Sequence, residues 1–453
     1  MGQVYRSTDP GNPVGGLWNK DWHDFAPRVG IAWDVFGDGK TSLRGGYGIG
    51  YEPNFGNVTF NVIQNPPNYG VISLTAGADV PTIPITTNNA GPLAGSGGTK
   101  ALGRVTLRAV DPNIKTAYAH TWSVALEHQF GKDVVAAAEY SGSKGVDLYS
   151  IYRLNIPGSD LVYAGQGTAT TYINPQYGLI NWRGNGGFSN YNGMNLRLDL
   201  KNFSKKGLTL RANYTWSHAI DNLSNTFSET TTGSGNLGFI DPLHPNLDRG
   251  NADFDVRQRF TVAAIWDIPI RPSRGVLKEI IGGWSIVPNI SMRTGVPFSL
   301  WDCTNAAYVL CPRAMYDQPF HAAYTATPTG LPNQFNYMSV GTPDSSYVNP
   351  LAGVADFGPY PSTMTGRNTF RAPGVWNADL SIHKDFKLTE SKSLQFRAEM
   401  FNVFNHSNLY VVYSNTDVSA TSVVTATRGV NGGNDAITTV ENRNIQLALK
   451  LIF

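Results

Sequence analysis

Hydrophobic residues recur at every second position in segments of about ten to thirteen residues along this chain. In "FAPRVGIAWDVF", Val29, Ile31, Trp33 and Val35 fall on one side of an extended strand, and Arg28, Gly30, Ala32 and Asp34 on the other. Period two is the repeat of a β-strand with two different faces. "GDGK" at 37–40 supplies a turn, and "TSLRGGYGIGY" follows. There Leu43, Tyr47, Ile49 and Tyr51 oppose Ser42, Arg44, Gly46, Gly48 and Gly50. The two segments predict a hairpin closed by a Gly/Asp turn.

The pattern returns in "TWSVALEHQF", "VVAAAEYSG", "MNLRLDLKNF", "LTLRANYTWSHAI", "RFTVAAIWDIP", "GWSIVPNISMRT", "VWNADLSIHKDF", "LQFRAEMFNVF" and "NIQLALKLIF", which makes eleven expected strands. Globular strands usually run about five or six residues. About ten residues tilted by about 45° instead match the roughly 25 Å apolar band of a bilayer. Connections alternate in length. The short ones are 37–40, 131–133, 204–206, 270–282 and 389–392; the long polar ones are 53–116, 143–190, 221–256, 295–374 and 406–440. Alternation by itself fits a soluble sandwich as well as a membrane barrel. Strand length, loop asymmetry and aromatics near strand ends (Phe25, Phe36, Trp122, Phe130, Trp266, Trp284, Trp376 and Phe386) favour an all-β, antiparallel transmembrane β-barrel.

In such a barrel the apolar face meets lipid and the other face lines a wet lumen. Arg44, Glu127, Glu139, Arg197, Asp199, Arg211, Asp379, Arg397 and Glu399 are the lumen-lining candidates. Charged residues make up only 15% of the 453 and net charge is +2, so nucleic acid is not an expected partner. No run approaches the ~18 apolar residues of a membrane helix. "MGQVYRSTDPGNPVGG" has neither the basic start nor the apolar core of a signal peptide. Cys303 and Cys311 stand eight apart in the polar loop "WDCTNAAYVLCP". A disulfide in an oxidising compartment is one reading of them, and two free thiols the other.

Motifs with catalytic or ligand chemistry are few. "GGYGIGY" is not followed by a helix, so its glycines read as strand residues facing a crowded interior. "GSGGTK" at 95–100 lacks the spacing of a phosphate-binding loop. Asp248, Asp253 and Asp255 in "DRGNADFD" could gather a hard cation, but without EF-hand spacing. The eight histidines are scattered and suggest no zinc site. Glu127 and Glu139 could face each other across a hairpin, as paired carboxylates do in acid–base catalysis. No Ser-His-Asp arrangement is legible. The expectation is no enzyme, no metal and no cofactor.

"FAPRVGIAWDVFGDGKTSLRGGYGIGYE", "YNGMNLRLDLKNFSKKGLTLRANYTWSHAIDN", "DFDVRQRFTVAAIWDIP", "GGWSIVPNISMRTGVPF" and "GRNTFRAPGVWNADLSIHKDFKLTESKSLQFRAEMFNVFNHSNL" resemble, in this order, the C-terminal barrel of TonB-dependent outer-membrane receptors. The nearest group is the Oar-like set with a carboxypeptidase-regulatory-like N-terminal domain, abundant in Acidobacteria. The resemblance covers nearly all of 25–453, and departs at Gln258, where relatives commonly carry His. It implies about 22 strands around a plug and energised import of a large or scarce solute. It also implies a bacterial outer-membrane location and contact with TonB only through N-terminal parts that this sequence does not contain. The terminal Phe453 resembles the signal read by the barrel-assembly machinery.

Eleven is odd, whereas bacterial single-chain barrels have even strand numbers. The first and last strands both run toward the short-turn side. Residues 1–24 are therefore expected to be the remnant of an extracellular loop, with further strands upstream. Two other readings remain: an outer-membrane barrel whose long loops bind a surface without import, and a secreted all-β binding protein.

Overall fold

A computed structural model of the chain describes residues 6, 8–53, 62, 65, 106–155, 174, 176–178, 180–225, 238–239, 245–270, 280–302, 313–316, 322–341, 364–389, 391–411, 416–418, 421–431, 437–439 and 441–453. Eleven strands follow one another along a single antiparallel path. They are β1 (Arg28–Asp34), β2 (Thr41–Tyr51), β3 (Tyr118–Phe130), β4 (Val134–Leu154), β5 (Ile180–Phe203), β6 (Leu208–Asp221), β7 (Gln258–Asp267), β8 (Trp284–Arg293), β9 (Val375–Lys387), β10 (Ser393–Phe401) and β11 (Asn444–Ile452). Two short strands, Leu107–Val110 and Gly250–Asn251, join the same sheet beside that path. β1 and β11 are its two edges.

The alternation read in the sequence is the alternation of the sheet. Each strand places its apolar positions beside those of its neighbours, because a one-residue slip would move every side chain to the wrong face. The pairing also climbs. One row of direct partners runs Leu43, Leu126, Ala138, Leu196, Tyr214, Phe260, Met292, Trp376. It starts near the short-turn end of β2 and finishes near the long-loop end of β9. Such a stagger tilts strands relative to a barrel axis.

The apolar face is left open. Val124 and Leu126, on the interior strand β3, are 53% and 48% exposed. Aromatic side chains bound it on both sides: Trp33, Phe130, Phe203, Trp266, Trp284 and Phe386 at the short-turn end, and Tyr47, Trp122, Tyr140, Trp216 and Trp376 at the other. Phe25 and Phe36, also expected there, are exposed just outside β1. Beyond Trp122 the face turns polar, since its next residue is His120, opposite Lys144 and close to Tyr47, whose hydroxyl lies 2.7 Å from His120 Nδ1. Lys384 is the exception near the short-turn belt. It is buried, donates to the Gly282 carbonyl and lies 4.9 Å from the Phe386 ring centre. Its ammonium is thereby satisfied without water.

One expectation is corrected. The long connection at 143–190 is strand at both its ends, because β4 runs on to Leu154 and β5 begins at Ile180. Pairing continues past irregularities around Gly145, Leu148 and Ser150, and Tyr149 and Ile151 are buried in this extension. The connections at 293–375 and 401–444 are also structured. They share a core that includes Phe298, Leu300, Met338, Val340, Phe370 and Val424, and a four-stranded sheet built from Ala323–Pro328, Gln334–Ser339, Val423–Arg428 and Leu409–Val411. The segment before β1 touches this long-loop end, with Asn19 N donating to Pro112 O at 2.7 Å.

Gly142 shows how tightly the sheet surface is filled. A Cβ there would stand 2.4 Å from the Trp122 ring, which lies across its direct partner. Gly142→Val is expected to lower unfolding stability in detergent by about 1–3 kcal/mol, the usual cost of overpacking. The heat at which the folded band disappears on an unboiled gel measures this; an unchanged transition would mean that Trp122 does not rest on Gly142.

Candidate functional site

All nine charged candidates fall on the face opposite the aromatic belts, in register across the sheet. One row joins Arg44, Ala125, Glu139, Asn195, Thr215, Arg259, Arg293 and Val375; the next joins Glu127, Ala137, Arg197, Asn213, Thr261, Ser291 and Asn377. Four candidates make a continuous ion-pair chain. Arg197 on β5 crosses β4 and donates to Glu127 on β3. Its Nε lies 3.0 Å from Asp199 Oδ2, too poorly aligned for a hydrogen bond. Asp199 in turn accepts from Arg211 Nε at 2.6 Å. The run "VVAAAEY" makes the crossing possible, because Ala137 directly below is too short to block it. These side chains are a quarter or more exposed, so each pair adds at most about 1 kcal/mol. Their effect is to lay alternating charge along a wall.

The other candidates are held locally. Arg44 Nε donates to Ser42 Oγ at 3.0 Å. Asp379 accepts from Asn377 Nδ2 and Asn402 N at 2.9 and 2.8 Å. Arg397 Nη2 lies 3.4 Å from Glu399 Oε1. Glu127 and Glu139 do not oppose each other: Glu127 faces Ala137, Glu139 faces Ala125, and Glu127 is taken by Arg197. Phe453 ends the chain beyond β11 and is 89% exposed. Cys303 and Cys311 lie outside the described residues.

Where the polar face reaches the long-loop end, it meets a second cluster. Arg367 donates to Asp221 Oδ1 at 2.6 Å and to Ser224 Oγ at 2.8 Å, and lies 3.4 Å from Asp253. Arg371 donates to Asp255, which also accepts from Arg257 Nε at 2.9 Å and from the Ala219 N–H at 2.7 Å. Asn368 Nδ2 donates to Asp253 Oδ1 at 2.6 Å, and Arg313 pairs with Asp248. Segments 248–257 and 364–371 are thus clasped together. Gly250 allows the approach, because a Cβ there would lie 2.5 Å from the Arg367 carbonyl. The three aspartates that could have gathered a cation are each answered by arginine. Among the described residues no group of three His, Cys, Asp or Glu is placed to hold a metal.

Sequence reasoning missed Asp221, Arg367 and Arg371, although "GRNTFRAP" stands out as a motif. Their partners lie over a hundred residues away, and only folding brings them together.

The sequence of this sheet, apolar on one face and charged on the other, is matched by one family model. That model is described as an outer membrane beta barrel domain and matches residues 1–446. The chain belongs to the outer membrane beta-barrel domain family. This barrel protein is located in the bacterial outer membrane. No curated protein matches its sequence. Among solved structures it is similar to the outer membrane transporter YddB from Escherichia coli, at 13% identity and a TM-score of 0.46, over 94% of this chain and 40% of that one. It is also similar to the siderophore receptor PiuA from Acinetobacter baumannii, at 12% identity and a TM-score of 0.39, over 94% and 35%. The barrel protein therefore spans well under half the length of these structures.

Burial alone would raise the Asp255 carboxyl, but the Ala219 N–H and the Arg371 and Arg257 guanidiniums outweigh it and hold it below the usual carboxylate range. A carboxyl with a depressed folded pKa stabilises above its unfolded value, about 3.9, and that stabilisation is lost as pH falls through the folded value. Protease cutting at the mouth is expected to stay slow at pH 5 and to accelerate only below about pH 4. Arg367→Ala should accelerate it at pH 7, because it leaves Asp221 and Asp253 facing a void, a loss of about 3–5 kcal/mol for a buried pair. Equal cutting of the variant and the parent would show that the clasp does not hold these segments.

Proposed function

We propose that this chain is the C-terminal part of the barrel wall of a TonB-dependent receptor of the Oar-like group, which imports a large or scarce solute across the outer membrane. The observation that carries the reading is the register of the charged face. It runs in unbroken rows from the short-turn end to the clasped mouth, as the wall of a wet passage would. Glu127, Arg197, Asp199 and Arg211, with Arg44, Glu139, Asp379, Arg397 and Glu399, line that passage. The long connections are extracellular and the short turns periplasmic. The remaining strands join the edges β1 and β11 and enclose a plug, and the contact with TonB is made through the N-terminal part of the receptor. Residues 1–24 are the end of an extracellular loop, and Phe453 presents the chain to the assembly machinery.

Structured loops also fit a barrel that binds a surface without import, and one experiment separates the two. Strains with and without the whole gene are grown in a mixed medium, with and without a protonophore, and the solutes removed from the medium are compared. The transport reading expects at least one solute removed only when the gene is present and the membrane is energised. Depletion profiles that are the same in all four conditions would sink it and leave the surface-binding reading.

A further inference from the structure

Arg259 and Arg293 are direct cross-strand partners on the charged face, at the long-loop end of β7 and β8. Side chains so placed have Cβ atoms about 5 Å apart, and like charges in this relation repel. Neither guanidinium has an acidic partner among the described residues, whereas Arg197, Arg211, Arg257, Arg313, Arg367 and Arg371 each have one. Two acids of the long-loop end are held by other partners. Asp255, just above in the clasp, is 1% exposed and held by Arg371, Arg257 and the Ala219 N–H. Glu441 accepts from Asn408 N, Asn408 Nδ2 and the Tyr410 hydroxyl at 2.8–2.9 Å. The remaining neighbours in the two rows are Thr215, Thr261, Ser291 and Val375, none of them charged.

We propose that Arg259 and Arg293 form an anion site at the mouth of the passage, taking a carboxylate or phosphate group of a solute. Two guanidiniums side by side present the paired donors that suit a two-oxygen anion, and the anion relieves their repulsion. This rests on the transport reading only for the word solute; the site itself is a matter of binding.

The full chain, folded in detergent, is titrated calorimetrically with inorganic phosphate and, separately, with succinate. Arg259→Gln and Arg293→Gln are each expected to weaken the better anion by about ten-fold or more, the usual scale of a lost charged hydrogen bond, while Lys40→Gln, in the short turn before β2, binds like the parent. The better of the two probes identifies the group. Without anion, both mouth variants should melt at the parent's temperature or above, since a repulsion has been removed. Binding of neither anion by the parent, unchanged affinity in Arg259→Gln and Arg293→Gln, or earlier melting of those variants would each overturn the site, the last by assigning the arginines a structural role. Anion binding without gene-dependent uptake would instead sink the transport reading and leave the site standing.

Discussion

In lipid, a backbone N–H or C=O without a partner costs several kcal/mol, and no water is there to supply one. This constraint explains why the chain is built as strands of this length and pairing. Each strand from β2 to β10 is paired on both sides along most of its length. Backbone bonding is then complete whatever the side chains are, so the sequence is free to alternate. One face can be as apolar as lipid and the other as charged as water permits. The stagger that carries one row from Leu43 to Trp376 tilts the strands and sets how much membrane each residue covers.

The charged face follows from the same alternation, and its details depend on size. Arg197 reaches Glu127 only because Ala137 lies between them. At the mouth the chemistry changes from exposed pairs to buried ones. Asp221 and Asp255 are 3% and 1% exposed, and their value depends on the arginines that answer them. The clasp gives two distant segments one conformation. Below it, Arg259 and Arg293 form a cross-strand pair with no acidic partner among the described residues.

The sheet was largely legible in the sequence, because period two, Gly/Asp turns and strand length are local signals. Eleven strands were expected and eleven lie on the path, and the nine charged candidates share one face. What was not legible depended on distance or on tertiary support. The extension of β4 and β5 is rich in Gly, Ser, Asn and Tyr, which read as loop until buried residues such as Tyr149 anchor them. Glu127 and Glu139 looked opposed from spacing, but register makes them diagonal. The Arg367–Asp221 pair spans 146 positions, beyond the reach of any motif. Tyr47 and Tyr140 belong to the aromatic belt, yet they sit within strands rather than at the ends where belt residues were sought.

The central claim is that neighbouring residues on one strand face lipid and water in turn. It is tested most directly by attaching a fluorophore to single cysteines at Leu126, Glu127, Leu196 and Arg197, with Cys303 and Cys311 changed to serine, in vesicles containing brominated lipid. The account predicts strong quenching by lipid at 126 and 196, and quenching by aqueous iodide instead at 127 and 197. Equal access to iodide at all four positions would contradict it, and would return the sheet to water.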